Sequence, residues 1–277
     1  MSNITDASNS PGDVLDYTLA FQISDFFAFE TLVLTDTFSD GQLFDTSFTP
    51  TFSVIEHTAT TSGGFDSSTY SVVRDSPGTG ETVVTFRLSD ELIRRSLDGQ
   101  LLGGCVPAGG TGGADPDCSA SNQGATTALI HFRTVIQENF TDTYPSGDPS
   151  VDQGDVLTNA VSVSGNILQV SNLTPNGNSE ADGSGASVQI ARGTLTKSIY
   201  AINGSTSVPN PLRVAPGDQV TFRLRYSLPS SDFENFYIMD YLPLPVFLST
   251  QVTGPFSNSI CGVPGAGSAC LGPADSY

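Results

Sequence analysis

The chain has 277 residues, with 10 Lys plus Arg against 29 Asp plus Glu, for a formal net charge of −19. A surface this acidic repels phosphate, which argues against DNA, RNA or anionic lipid as a partner. With 38% hydrophobic residues there is enough apolar material for a core, while no apolar run reaches the ~20 residues of a membrane-spanning helix, and no secretory signal pattern opens the sequence.

In chain order, the first element is Val14–Ile23, where Val14, Leu15, Tyr17, Leu19, Phe21 and Ile23 mostly share one face of an alternating run. Similar alternation marks 30–37, 70–73, 82–88, 128–137, 157–163, 186–191, 195–202, 219–227 and 236–240, each rich in Val, Thr, Phe or Tyr. Period two over such lengths predicts half-buried strands, and the Gly, Pro, Asn, Asp and Ser clusters between them predict turns. One helix is expected over Asp90–Leu97, with Ser89 as N-cap, Asp90 and Glu91 in the first turn, Arg94 and Arg95 at the end and Gly99 as stop. Its expected role is a connector on the rim of a sheet. The predicted class is therefore all-β, an antiparallel sandwich with one short helix.

The four cysteines fall in two local pairs. Cys105 and Cys118 bracket one Gly-rich stretch, and Cys261 and Cys270 bracket another. Each spacing suits a small disulfide-closed loop, which favours an extracellular location, although four free thiols in loops fit the spacing too. Zinc is disfavoured, because no CxxC pair exists and the histidines are His57 and His131 alone.

A long internal repeat sets the domain count. Residues 11–38 and 216–242 align with one gap: Pro11-Gly12-Asp13 on Pro216-Gly217-Asp218, Tyr17 on Phe222, Asp25 on Asp232 and Asp36 on Asp240. The offset of about 205 residues indicates a duplicated domain. The expected division is a first sandwich over 1–190, lacking its first strand, and an incomplete second copy over 191–277. The boundary is expected in or just after the polar tract Asn172–Ser187. A second copy this short predicts a sequence that continues in a longer parent.

The ordered set Leu195-Thr196-Lys197-Ser198, Val214-Ala215-Pro216-Gly217-Asp218-Gln219-Val220-Thr221-Phe222 and Asp240-Tyr241-Leu242-Pro243 resembles the conserved repeat domain of large bacterial cell-surface and adhesin proteins. The closing strand of that repeat is similar to Leu157–Val163 here. The resemblance implies an Ig-like or prealbumin-like sandwich used as a stalk or adhesin module. Its partners would be neighbouring repeats of the same chain and a host, surface or glycan ligand. The first copy departs from the pattern at Thr37-Phe38, where the family shows Leu-Pro, and in its long Gly-rich loop around Cys105.

Some members of that family join a first-strand Lys to a last-strand Asn through an internal amide, assisted by a carboxylate. The resemblance maps these roles onto Lys197, Asn159, and the acids Asp36 and Asp240. Lys197 and Asn159 belong to different copies, so each would find its partner outside residues 1–277, and no bond between these two is expected. Ordinary roles as a strand lysine and as turn acids remain open for Lys197, Asp36 and Asp240.

Calcium is the one candidate cofactor. Asp142–Asp155 holds four Asp, of which Asp148, Asp152 and Asp155 are the candidate ligands, without an EF-hand pattern. Solvated turn acids are the alternative. There is no G-x-S-x-G, H-E-x-x-H, P-loop or dinucleotide fingerprint, so no catalytic function is expected. Two readings follow: a non-catalytic structural or adhesive repeat module, extracellular or at the cell surface, and a calcium-dependent, glycan-binding module on the same fold.

Overall fold

In a computed structural model, residues 1–5, 8–56, 59–74, 78–107, 125–142, 144, 147–228 and 237–241 are described. The chain divides into two compact units, Met1–Asp232 and Phe233–Tyr277. All regular structure among the described residues belongs to the first unit.

Two six-stranded antiparallel sheets face each other in that unit. One runs β1 (Ser2–Asn3), β2 (Val14–Ile23), β10 (Thr126–Ile136), β5 (Thr51–Glu56), β6 (Ala59–Gly64), with β4 (Gln42–Phe44) also on β10. The other runs β12 (Thr174–Gln189), β11 (Val156–Gln169), β3 (Ala28–Phe38), β8 (Thr82–Arg87), β7 (Tyr70–Arg74), with β9 (Leu101–Leu102) also on β3. A separate two-stranded sheet pairs β13 (Thr194–Ile202) with β14 (Val220–Ser227). The one helix among the described residues, α1 (Leu88–Arg94), follows β8 directly.

The alternation read from the sequence produces the sandwich interior. Leu15, Tyr17, Leu19 and Ile23 of β2 are buried, as are Ala128, Ile130, Phe132, Thr134 and Ile136 of β10. From the opposite sheet come Leu32, Leu34, Phe38, Val84 and Phe86. Aromatic rings join the layers: Phe132 stacks on Tyr17 at 4.9 Å between centroids and meets Phe86 at 5.7 Å and Phe38 at 6.4 Å. Ring pairs at these separations add to the area term that dominates core stability. The all-β sandwich is thus the architecture of this chain.

Several local expectations are corrected. Most of the polar tract Asn172–Ser187, where only 186–191 was expected to be strand, lies in β12: residues 174–189 pair with β11 from Gln169↔Thr174 to Val156↔Gln189. Almost all of β12 is exposed. An edge strand whose two faces meet water needs only backbone pairing, so composition gave no apolar rhythm to read. The helix starts at Leu88 and ends at Arg94, earlier than predicted, and Ser89 does not cap it. Its hydroxyl instead accepts the backbone N–H of Leu32 at 2.8 Å, fastening α1 to β3. The strand expected at 236–240 is absent from the described part, Tyr237–Asp240. Strands β4, β6 and β9 are too short or too Gly- and Thr-rich to show alternation, and β5 lies outside the strands expected from the sequence. His131 is partly exposed, with Nδ1 3.1 Å from the Thr18 hydroxyl, while His57 lies outside the described residues.

Candidate functional site

Alternation along β3 sends Leu32, Leu34, Asp36 and Phe38 inward. Three of the four are hydrocarbon, and the fourth is a carboxylic acid with no exposure to solvent. On the neighbouring strand β11, alternation turns Leu157 and Asn159 inward, and Asn159 is 6% exposed. Antiparallel pairing sets Asp36 opposite Val161 and Asn159 opposite Phe38, so the two polar side chains lie on a diagonal of one sheet face. The Asn159 side-chain amide donates to Asp36 Oδ1 at 2.5 Å.

The second oxygen, Asp36 Oδ2, is buried and has no hydrogen-bond partner. Burial without a compensating donor penalises the anion and pushes the Asp36 carboxyl up to about 7, and the single hydrogen bond from Asn159 offsets this only in part. Facing it from the other sheet, the Tyr17 phenol is also driven upward, by burial first and by the Asp36 charge second. The Tyr17 hydroxyl donates to Gln42 Oε1 at 2.6 Å, and Thr134 Oγ1 donates to the same oxygen at 3.2 Å. Gln42 Nε2 reaches the Thr158 carbonyl at 3.2 Å, next to Asn159 in the chain. These polar groups satisfy one another, whereas Asp36 Oδ2 is the one orphaned buried side-chain atom among the described residues. Such an atom calls for an explanation in a native core.

Chemically, a neutral carboxyl beside a carboxamide in a dry core can polarise the amide and shuttle protons. What the pair lacks among the described residues is an amine nucleophile. Lys197, the only lysine in the sequence, is exposed on β13, with Nζ 4.5 Å from the Phe222 ring centroid. Asp240 is exposed in the second unit, outside any strand or helix. Of the four residues drawn from the resemblance, the structure brings together Asp36 and Asn159.

Two of the three candidate calcium ligands, Asp148 and Asp155, accept backbone N–H groups within their turns. Asp148 Oδ1 accepts the Ser150 N–H at 2.9 Å, and Asp155 Oδ2 accepts the Asp152 N–H at 3.0 Å. Among the described residues, no three His, Cys, Asp or Glu side chains cluster as metal ligands would. Cys105 is buried, while Cys118, Cys261 and Cys270 lie outside the described residues, so both expected pairings do too.

A second buried acid was not singled out from the sequence. Glu91, in the first turn of α1, reads as a helix-dipole partner, yet its side chain is fully buried. It receives Arg95 Nε at 2.7 Å, Arg94 Nη2 at 2.9 Å, Thr69 Oγ1 at 2.5 Å and the Asp66 N–H at 3.0 Å. Burial alone would raise its carboxyl, but the bonds from Arg94, Thr69, Asp66 and Arg95 outweigh that and hold it down to about 2. Arg95 also donates to the Gly64 carbonyl at 2.7 Å and lies 4.7 Å from the Phe52 ring centroid, tying the helix to the opposite sheet. This is a structural clamp, with every acceptor occupied. Its one sequence signal was the apolar flank of Leu88 and Leu92 on the same helix.

No family model matches the chain, and no curated protein matches it. Among solved structures it is similar to domains D2 and D3 of the major pilin SpaD from Corynebacterium diphtheriae, with 14% identity, a TM-score of 0.34, and coverage of 70% of this chain and 52% of that one. It is also similar to ACE19, the collagen-binding subdomain of the Enterococcus faecalis surface protein ACE (9% identity, TM-score 0.31, 66% and 90% covered). A third similar structure is AvmM, described as catalysing macrocyclization in alchivemycin A biosynthesis (14% identity, TM-score 0.29, 68% and 85% covered). The chain spans about half the length of the SpaD fragment. At this level of similarity nothing about activity or partner transfers to this chain.

Proposed function

We propose that this chain is a non-catalytic structural module of a secreted or cell-surface protein, a β-sandwich spacer whose core holds the acid and amide of an intramolecular Lys–Asn cross-link. The observation that carries this reading is the buried Asp36, with one oxygen on the Asn159 amide and the other without a partner. An ordinary core has no use for such an atom, whereas an incoming lysine amine would satisfy it. The internal repeat and the resemblance of its motifs to surface-protein repeats give the module its context.

In the proposed step a neutral lysine Nζ attacks Asn159 Cγ, the Nζ–Cγ bond forms, the Cγ–Nδ2 bond breaks, and ammonia leaves. The Asp36 carboxyl carries one proton from the amine to the departing nitrogen and ends as it began, so no oxidant or reductant is needed. The lysine comes from outside residues 1–277, because Lys197 sits on the separate β13–β14 sheet. The test is the intact mass of a chain extended on its N-terminal side by a lysine-bearing strand. Loss of one ammonia is expected, abolished by Asp36→Ala and by Asn159→Ala. Retention of full mass with the strand demonstrably in place would overturn the cross-link.

A further inference from the structure

Asparagine followed by glycine occurs twice in the chain, at Asn176-Gly177 and at Asn203-Gly204. The dipeptide marks tight turns, because glycine takes positive φ without strain, and both glycines do so here, at +85° and +78°. With no Cβ in the way, the glycine nitrogen is also open to approach from the asparagine side chain before it. The two sites share this local chemistry, and the fold treats them differently.

On β12 the register passes from Leu168↔Pro175 to Asn166↔Ser179, so Asn176, Gly177 and Asn178 bulge out opposite Ile167 alone. All three are exposed, and a Cβ built at Gly177 would meet no atom within 4 Å. The Asn176 side chain makes one local hydrogen bond, in which its Oδ1 accepts the Asn178 N–H at 2.8 Å. That bond folds the side chain back across Gly177 and draws electron density away from Cγ. Among the described residues no group holds Nδ2, which is the nitrogen that would depart.

Asn203 is held at both ends of its amide. Its Nδ2 donates to Asp218 Oδ1 at 2.8 Å, and its Oδ1 accepts the Gln219 N–H at 2.8 Å. The Asn203 N–H donates in turn to the Gln219 carbonyl at 2.8 Å. These partners stand just ahead of β14, at the far end of the connection from β13. Bringing Asn203 Cγ onto the Gly204 nitrogen therefore requires breaking contacts between two separate segments.

We infer that Asn176-Gly177 is a site of spontaneous deamidation set in the exposed bulge of β12, and that the fold protects Asn203-Gly204 from the same reaction. The Gly177 nitrogen gives up its proton to water and attacks Asn176 Cγ. The N–Cγ bond of a cyclic imide forms, the Cγ–Nδ2 bond breaks, and ammonia leaves. Water then opens the imide at either carbonyl, to aspartate or to isoaspartate. The sum is amide plus water giving carboxyl plus ammonia, with nothing oxidised or reduced. The isoaspartate product carries an extra methylene in the main chain, and residues 176–178 accommodate it because they hold no register with β11. Either product adds a carboxylate to an edge strand that already carries Glu180 and Asp182, and charge on an edge strand opposes pairing with another chain.

The test incubates the full chain at mildly alkaline pH, folded and, in parallel, unfolded in guanidinium chloride, and follows both asparagines by fragment-ion mass spectrometry. Each conversion adds about 1 Da, as an amide NH2 becomes a hydroxyl. Similar rates at the two sites are expected in the unfolded chain. In the folded chain Asn176 is expected to react roughly tenfold or more faster than Asn203, the factor that two hydrogen bonds to be broken first impose on a rate. Asn176→Gln is expected to abolish the fast phase, and isoaspartate, read by enzymatic methylation of its carboxyl, is expected at 176 and not at 203. Equal rates in the folded chain, or an intact Asn176 after the unfolded chain has reacted, would overturn the inference. A ratio that persists on unfolding would overturn it too, because the difference would then lie in local sequence and not in the fold.

Discussion

Replacing Asp36 by Asn removes a charge from the core while keeping the shape and the acceptor that Asn159 uses. In the folded protein the carboxyl sits at about 7, against an ordinary value near 3.8. A raised acid binds its proton more tightly when folded, so between those two values the native state holds more protons and stability falls as pH rises. About three pH units at about 1.4 kcal/mol each come to about 4 kcal/mol, an order-of-magnitude penalty reached above pH 7 and absent below pH 4. The assay is urea unfolding of the wild type and Asp36→Asn at pH 4, 6 and 8, with the difference taken at each pH so that the other acids cancel. The difference is expected near zero at pH 4 and should grow in favour of the variant toward pH 8. A difference that stays flat across the range would refute the claim that Asp36 titrates in a desolvated site.

The Glu91 clamp has the opposite sign. Its folded carboxyl lies at about 2, so its contribution is full above pH 4.5 and disappears as pH falls toward 2. Glu91→Gln should cost about 2–4 kcal/mol at pH 7 by urea unfolding, and much less at pH 2. Ser89→Ala leaves the buried Leu32 N–H without its acceptor and should cost about 1–2 kcal/mol, visible as a lower urea midpoint at unchanged m. Gly41 has φ +82°, and a Cβ there would come within 2.8 Å of the Phe140 ring and 2.9 Å of Leu157. Gly41→Ala should therefore cost about 1–3 kcal/mol in the same assay.

Alternating residues in β2, β3, β8 and β10 were enough to name an all-β sandwich, because a strand with one buried face must write that face into every second position. The same rule explains the failures. β12 has no buried face, so most of Thr174–Gln189 shows no apolar alternation although it pairs along nearly all of β11. Ser89 looks like a helix cap, and only the approach of β3 turns its hydroxyl to Leu32. Asp36 and Asn159 stood out through motif resemblance, 123 residues apart in the chain. That they meet in a dry core, and that one carboxyl oxygen is left over, depends on the β3–β11 register and on the opposing sheet closing over them. Burial raises the Asp36 carboxyl, whereas at Glu91 the bonds from Arg94, Thr69, Asp66 and Arg95 outweigh burial, and whether a donor or a cation stands beside a buried acid is decided by packing between distant segments. Local sequence specifies which residues can face inward, and the tertiary structure decides what each one meets there.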